Sequence, residues 1–348
     1  SCPPPAGVVV VIGDPPTDRG QLAQPLNLED ISPVEIQLLN RPQKRVTPIE
    51  AQAKPRIPSV TAQALAHAGL SADAIDAIVL VSCTGFLMPS LTAWMINELG
   101  FRTNTVQLPI AQLGCAAGTA AINRASDFCI AHPGTHTLIV AYEFCSLCYQ
   151  PADLDVGSLL SNGLFGDAVA AAVVRGDGRG TGVRLRAQAS YIVPGTDTWI
   201  AYETKDTGFH FRLNKGLPGT IQQVMPELVQ FVRDHDCDLA DLDFHVIHTG
   251  GPRVLDALRS QGGVSLEALK DSWDTLSSYG NIASAAVFDV LRRVAEKCPA
   301  SDATGIIAGF GPGITMELAL GDWVVDPLDA GRGADGQSAL SNQKELRT

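Results

Sequence analysis

From Ser59 onward the chain alternates two apolar patterns. Continuous apolar runs at Ile78 to Val81, Thr137 to Ala141, Ala168 to Val174, Phe244 to His248 and Gly305 to Phe310 read as strands, and the pattern predicts burial on both faces. Between them lie stretches with a helical repeat: Val60 to Ala68, Thr92 to Leu99 closed by Gly100, Ala116 to Phe128, Pro218 to Asp234, Pro252 to Arg259 and Ile282 to Lys297. Val8 to Ile12 and Val183 to Val193 add strands. Ser71 to Ile75 is a short capped turn, and Ile314 to Leu320 returns after the forced turn Gly311-Pro312-Gly313. Strands alternating with helices predict α/β layering.

The punctuation divides the chain. Residues 1–58 form a divergent N-terminal segment, where Pro15, Pro16, Pro25, Pro33, Pro42, Pro48, Pro55 and Pro58 break any long helix. Gly176 to Gly180 reads as a loop between two halves, 59–180 and 181–325. The tail 326–348 is polar, rich in Gly, Asp and Ser, and expected to be mobile. With 348 residues, 45% apolar and 18% charged, the chain has ample material for a large core. A net charge of −12 argues against nucleic-acid binding, which needs a basic face. No apolar run is long enough to span a membrane, and Ser1 to Pro5 lacks a secretory pattern. The eight cysteines are scattered through apolar segments, so a reducing cytoplasm is the expected location. Cys145-x-x-Cys148 has no second pair beside it, so no metal site is expected.

Chemistry enters at Gln112-Leu113-Gly114-Cys115-Ala116-Ala117-Gly118. A cysteine opens a helix whose first turn is all small residues, so the helix can pack closely and the thiol meets unpaired N–H groups. The second half echoes this at Gly280-Asn281-Ile282-Ala283-Ser284-Ala285-Ala286. If the halves are duplicated, Cys115 and Asn281 face one cavity from matching helix starts. An ordinary N-cap is the bland alternative for Asn281. His248 ends a buried strand and enters Thr249-Gly250-Gly251-Pro252, the end of an open sheet at which ligands bind. Of the seven histidines, His210 and His245 are the other candidates. Cys, His and Asn together supply a nucleophile, a base and an oxyanion donor. The same three serve thiol hydrolases of the papain kind, but Cys115 lacks that class's flanking Cys-Gly-[Ser/Ala]-Cys sequence.

Five ordered stretches carry a resemblance: Leu113 to Gly118, Gly163-Leu164-Phe165-Gly166-Asp167-Ala168, His248 to Pro252, Tyr279-Gly280-Asn281-Ile282-Ala283-Ser284, and Gly309 to Thr315. They are similar to the type III polyketide synthases, the chalcone synthase superfamily. The resemblance implies a thiolase-like duplicated αβαβα layered fold, a homodimer, and Cys115, His248 and Asn281 as the catalytic triad of an acyltransferase. It also implies coenzyme A thioesters as substrates, with no cofactor and no metal. Ketoacyl synthases of the same fold, and a noncatalytic relative, are the alternatives.

Further residues follow from the resemblance alone. Phe165 and Phe211 stand as gatekeepers between a CoA tunnel and the cavity. Gly311 and Pro312 belong to a cavity-shaping loop, and Met88 to a loop reaching across a dimer interface. Val81 to Phe86, Glu143 to Pro151 and Gly157 to Phe165 look like a bacterial branch that uses malonyl-CoA as starter and extender. In that branch Cys83 and Tyr202 shape the starter pocket; acyl-CoA starters making pyrones or resorcinols are the alternative. The family's basic residues for CoA phosphates lie in its N-terminal stretch, where Arg19 is the candidate here.

Overall fold

A computed structural model gives the fold and describes residues 9–12, 46–150, 153–154, 156–205, 208–213 and 221–327. Arg19, Pro218 at the expected start of its helix, and the tail from 328 onward lie outside the described residues. The first half runs β1 (Val9–Ile12), α1 (Val46–Ala68), β2 (Ala77–Val81), α2 (Leu91–Glu98), β3 (Val106–Ile110), α3 (Ala117–Ala131), β4 (His136–Phe144), α4 (Val156–Leu164) and β5 (Asp167–Arg175). The second runs β6 (Gly182–Ile192), β7 (Ile200–Lys205), β8 (Gly208–Leu213), α5 (Ile221–Arg233), β9 (Phe244–Ile247), α6 (Pro252–Gly262), α7 (Lys270–Tyr279), α8 (Ala286–Glu296), β10 (Thr304–Gly311) and β11 (Thr315–Val324).

Nine strands form one sheet in the order β3-β2-β4-β5-β1-β6-β11-β10-β9, and β7 and β8 form a separate hairpin. The sheet is duplicated about its middle. Outward from β1, the pairings to β5, β4 and β2 are antiparallel, antiparallel and parallel. Outward from β6, the pairings to β11, β10 and β9 repeat that sequence. An antiparallel β1–β6 contact joins the wings.

Side chains sort into five layers. Ile78 and Leu80 pack outward with Ile49, Ala53 and Ile57 of α1 and Leu91 and Met95 of α2. Val79 and Val81, on the opposite face of the same strand, pack inward with Ile122 of α3 and Phe288 of α8. The other wing packs outward on Val224 and Leu228 of α5 and Leu255 and Leu258 of α6. The order is therefore α1/α2, sheet wing, α3/α8, sheet wing, α5/α6: the layered αβαβα arrangement. Burial on both faces of β2 explains its unbroken apolar run.

One expectation needs correction. The helix expected from Val60 begins at Val46 and runs through Pro55 and Pro58. Ile49, Ala53, Ile57, Thr61, Ala64 and Ala68 form its buried stripe, whereas Pro55 is exposed and Pro58 half-buried. The carbonyls that lose their donors lie toward solvent, and burial of the stripe outweighs the lost bonds. β3 is one of the sheet's two edge strands, and its first residue, Val106, is 41% exposed.

The two helices of the central layer meet backbone to backbone. A Cβ on Gly118 of α3 would lie 2.1 Å from the Ser284 carbonyl oxygen and 2.7 Å from Val287 Cγ2. Gly118→Ala is expected to destabilise the protein by about 1–3 kcal/mol, because backbone must move to admit a methyl group. A denaturant midpoint equal to that of the parent would contradict this packing.

Candidate active site

Cys115 lies in the 3-10 turn Gly114–Ala116, which runs directly into α3. Gly114 has φ +54, and a Cβ there would fall 2.4 Å from Pro312 Cδ. A Cβ on Gly311 would meet the Ala116 nitrogen at 2.8 Å. The nucleophile's turn is thus seated against the Gly311-Pro312-Gly313 turn of the other half, and glycines permit the approach.

Asn281 is held by its backbone. Its N–H donates to the Leu164 carbonyl at 2.7 Å, and its own carbonyl accepts from Gly166 N–H at 3.1 Å. The two bonds form an isolated bridge opposite Phe165, so one pair of contacts orients both residues. The side-chain oxygen accepts from Ala283 N–H at 2.9 Å, as a cap would. The Asn281 amide Nδ2 lies 3.9 Å from Cys115 Sγ, the outer limit for a bond to sulfur. Capping and facing the thiol are therefore compatible.

His248 follows β9 and continues its ladder, donating from its N–H to Ala308 O at 2.9 Å. The side chain is buried, and its Nδ1 has no hydrogen-bond partner among the described residues. His245 is structural: its Nε2 donates to the Leu239 carbonyl at 2.7 Å.

One cavity of about 1780 Å³ is lined by Cys115, His248, Asn281, Cys83, Phe165, Tyr202, Phe211, Gly311 and Pro312. Met88, His210 and His245 lie outside its lining; Met88 is 85% exposed and leads into the Met88–Pro89 cis peptide. Tyr202 is 36% exposed, and it borders the cavity beside Phe211, the ring centroids 5.6 Å apart. Phe165 meets Phe211 edge to face at 5.4 Å.

Burial governs the charges. It pushes the Cys115 thiol up to about 12, helped by the Glu143 carboxylate and opposed by the Asn281 side chain and a backbone hydrogen bond. It pushes the His248 imidazole down to about 3. Taken singly, both groups are neutral at neutral pH. A proton passed from the thiol to the imidazole would create opposite charges whose mutual attraction offsets part of the desolvation. Burial first and Glu143 second also raise Cys83 and Cys145 well above the usual thiol range.

The comparisons with known proteins decide the family. The N-terminal domain of chalcone and stilbene synthases matches residues 43–178, and the C-terminal domain matches 184–322. The chain belongs to that family, the type III polyketide synthases. A 1,3,6,8-tetrahydroxynaphthalene synthase of Streptomyces griseus is 56% identical over 287 residues, covering 82% of this chain and 77% of the relative. One from Streptomyces coelicolor is 58% identical over 275 residues, covering 79% and 73%. The crystal structure of the 1,3,6,8-tetrahydroxynaphthalene synthase from Streptomyces coelicolor A3(2) superposes with a TM-score of 0.81 at 55% identity, covering 84% of this chain and 85% of that one.

Two residues of this polyketide synthase's site escaped the sequence reading. Glu143, at the end of β4, is fully buried under the cavity. It accepts from Cys83 N–H at 3.1 Å, Thr84 Oγ1 at 3.0 Å and the Ser284 hydroxyl, tying the loops that carry Cys83 and Asn281. Burial raises its carboxyl, against these donors. A lone Glu inside the apolar run of β4 was the available signal. Among the described lining residues Arg253 is the one Lys or Arg and Asp197 the one carboxylate. Its place five residues after His248 was visible, but its direction was not.

Removing the imidazole tests the thiol's activation. With a thiol raised to about 12 and no internal base, the thiolate at neutral pH becomes scarce. His248→Ala is expected to slow iodoacetamide alkylation of Cys115 at neutral pH by about tenfold or more, with the rate still climbing at alkaline pH. Peptide mass spectrometry reads the rate; a pH profile unchanged from the parent would contradict the pairing.

Proposed function

We propose that the protein primes and extends with malonyl-CoA and makes 1,3,6,8-tetrahydroxynaphthalene, the precursor of flaviolin. The observation that carries this reading is the joint lining of one cavity by nine residues chosen for that chemistry. Its volume exceeds the roughly 300–1,000 Å³ of ordinary ligand pockets, leaving room for a pantetheine arm and a growing chain. The 56% and 58% identities to the two Streptomyces synthases favour the same product.

The starter acyl group passes from the CoA sulfur to Cys115 Sγ. The thiol proton goes to His248 and then to the departing CoA thiolate. His248 and the Asn281 amide next donate to the thioester oxygen of an incoming malonyl-CoA. Loss of CO2 leaves its electron pair as an enolate under those donors. The enolate carbon attacks the acyl-Cys115 carbonyl, the C–S bond breaks, and the lengthened chain returns to Cys115. Coenzyme A thioesters are substrates here, and the steps use no further cofactor and no metal. Among the described residues no cluster of three or more His, Cys, Asp or Glu is arranged to hold a metal ion.

Tyr202 and Cys83 form the starter pocket in this reading. The Tyr202 phenol carries an O–H and so can donate to the malonyl carboxylate in an otherwise apolar wall. Arg253 supplies positive charge for CoA phosphates, offsetting a chain of net charge −12.

A homodimer belongs to the same proposal. Edge strand β3 is half-covered and Phe86 and Met88 are 59% and 85% exposed, apolar surface suited to a second copy. No disulfide joins any of the seven described cysteines, and no helix among the described residues is long and apolar enough to cross a membrane. Both fit a cytoplasmic enzyme.

Incubation with malonyl-CoA alone, followed by mass spectrometry, tests the reading. The expected product is the naphthalene pentaketide. Tyr202→Phe is expected to lose malonyl priming yet still yield pyrones when hexanoyl-CoA is supplied. A parent enzyme that needs an added acyl-CoA, or a Tyr202→Phe variant making the same malonyl-only product at the same rate, would overturn the starter assignment.

A further inference from the structure

The wall carrying Phe209, Phe211 and Tyr202 is mounted differently from the rest of the cavity. Cys115, His248 and Asn281 sit at the ends of elements in the central layers. The hairpin of β7 and β8 is a separate two-stranded sheet, paired Tyr202 to Phe211 and Glu203 to His210. A lone hairpin has little stability of its own, so its position must come from what it touches.

Alternation along β8 puts Phe209, Phe211 and Leu213 on the cavity side and His210 on the other. On that outer face Arg212 pairs with Glu203 near solvent, 2.9 Å from Nε to Oε2. His210 is the exception, 5% exposed. Its Nδ1 lies 2.6 Å from Asp153 Oδ2, and the Asp153 side chain is itself 16% exposed. A carboxylate only accepts, so Nδ1 carries the proton. Three residues earlier, Gln150 Nε2 donates to the Phe209 carbonyl at 2.9 Å. Both ties come from the chain just beyond the 3-10 turn Cys145–Cys148, which places Cys145 in the cavity wall.

We propose that the Asp153–His210 hydrogen bond is a positioning device that fixes β8, and with it the gap between Phe211 and Phe165, so setting how many condensations finish before the chain cyclises. Neither residue lines the cavity. The pair acts through the backbone on either side of His210, where Phe209 and Phe211 are its immediate neighbours. A short bond to an ionised partner fixes direction as well as distance, which a purely apolar contact would not. Phe211 stacks on Phe165 and on Tyr202, so a shift of β8 moves the whole aromatic wall. The decarboxylating groups lie on other elements and are left in place.

The proposal rests on the polyketide-forming reading above, and its test separates the two. Parent enzyme, Asp153→Ala, His210→Phe and Asp153→Asn are supplied with malonyl-CoA. CO2 release, product chain lengths and Tm are measured. Asp153→Ala and His210→Phe are expected to keep CO2 release within about twofold of the parent while moving most product from the pentaketide to shorter pyrones. Asp153→Asn retains an acceptor oxygen and is expected to restore the parent pattern. An unchanged product pattern in both disrupting variants would overturn the device. So would a parallel fall in CO2 release, pentaketide and Tm, which marks a merely structural pair. A parent enzyme that releases no CO2 from malonyl-CoA would instead remove the underlying reading.

Discussion

Everything at the site depends on the backbone contact between Gly118 and Ser284. Each lies three residues after a candidate catalytic residue, Cys115 in one half and Asn281 in the other. Closing that contact to the distance a glycine allows brings the two starts together, with the thiol and amide 3.9 Å apart. Glu143 reinforces the junction from beneath, accepting from Ser284 on one side and from Cys83 and Thr84 on the other. A methyl group in place of the Gly118 hydrogen pushes the halves apart, and the thiol and amide with them.

Closing the layers also determines the chemistry. The groups they enclose lose water, which disfavours every isolated charge. The cavity thiols are held protonated and His248 unprotonated. Such a site stays inert until charges are made in pairs: thiolate with imidazolium, or enolate with its donors. Cys83 and Cys145 share the burial; Cys115 also has the Asn281 amide. Nucleophile selection in this account comes from partners and not from exposure.

Much of this was legible in the sequence because burial leaves a direct mark. The apolar runs of β2, β4, β5, β9 and β10 marked strands whose residues are largely buried, and the repeated small-residue helix starts named Cys115 and Asn281. What was missed depended on partners far along the chain. Proline in α1 looked decisive locally, but a buried stripe from Ile49 to Ala68 outweighs it. Glu143 reads as an interruption until Cys83, Thr84 and Ser284 are seen around it. The Asp153–His210 bond spans 57 residues, and neither position signals the other.

The central claim is that the layered halves create one reactive thiol, at Cys115, in the cavity between them. Intact-protein and peptide mass spectrometry of the enzyme quenched during turnover with malonyl-CoA tests it most directly. The account predicts an acyl adduct on the peptide bearing Cys115 that disappears in Cys115→Ser. An adduct carried by Cys83, Cys145 or Cys148 in its place, with turnover intact, would contradict it.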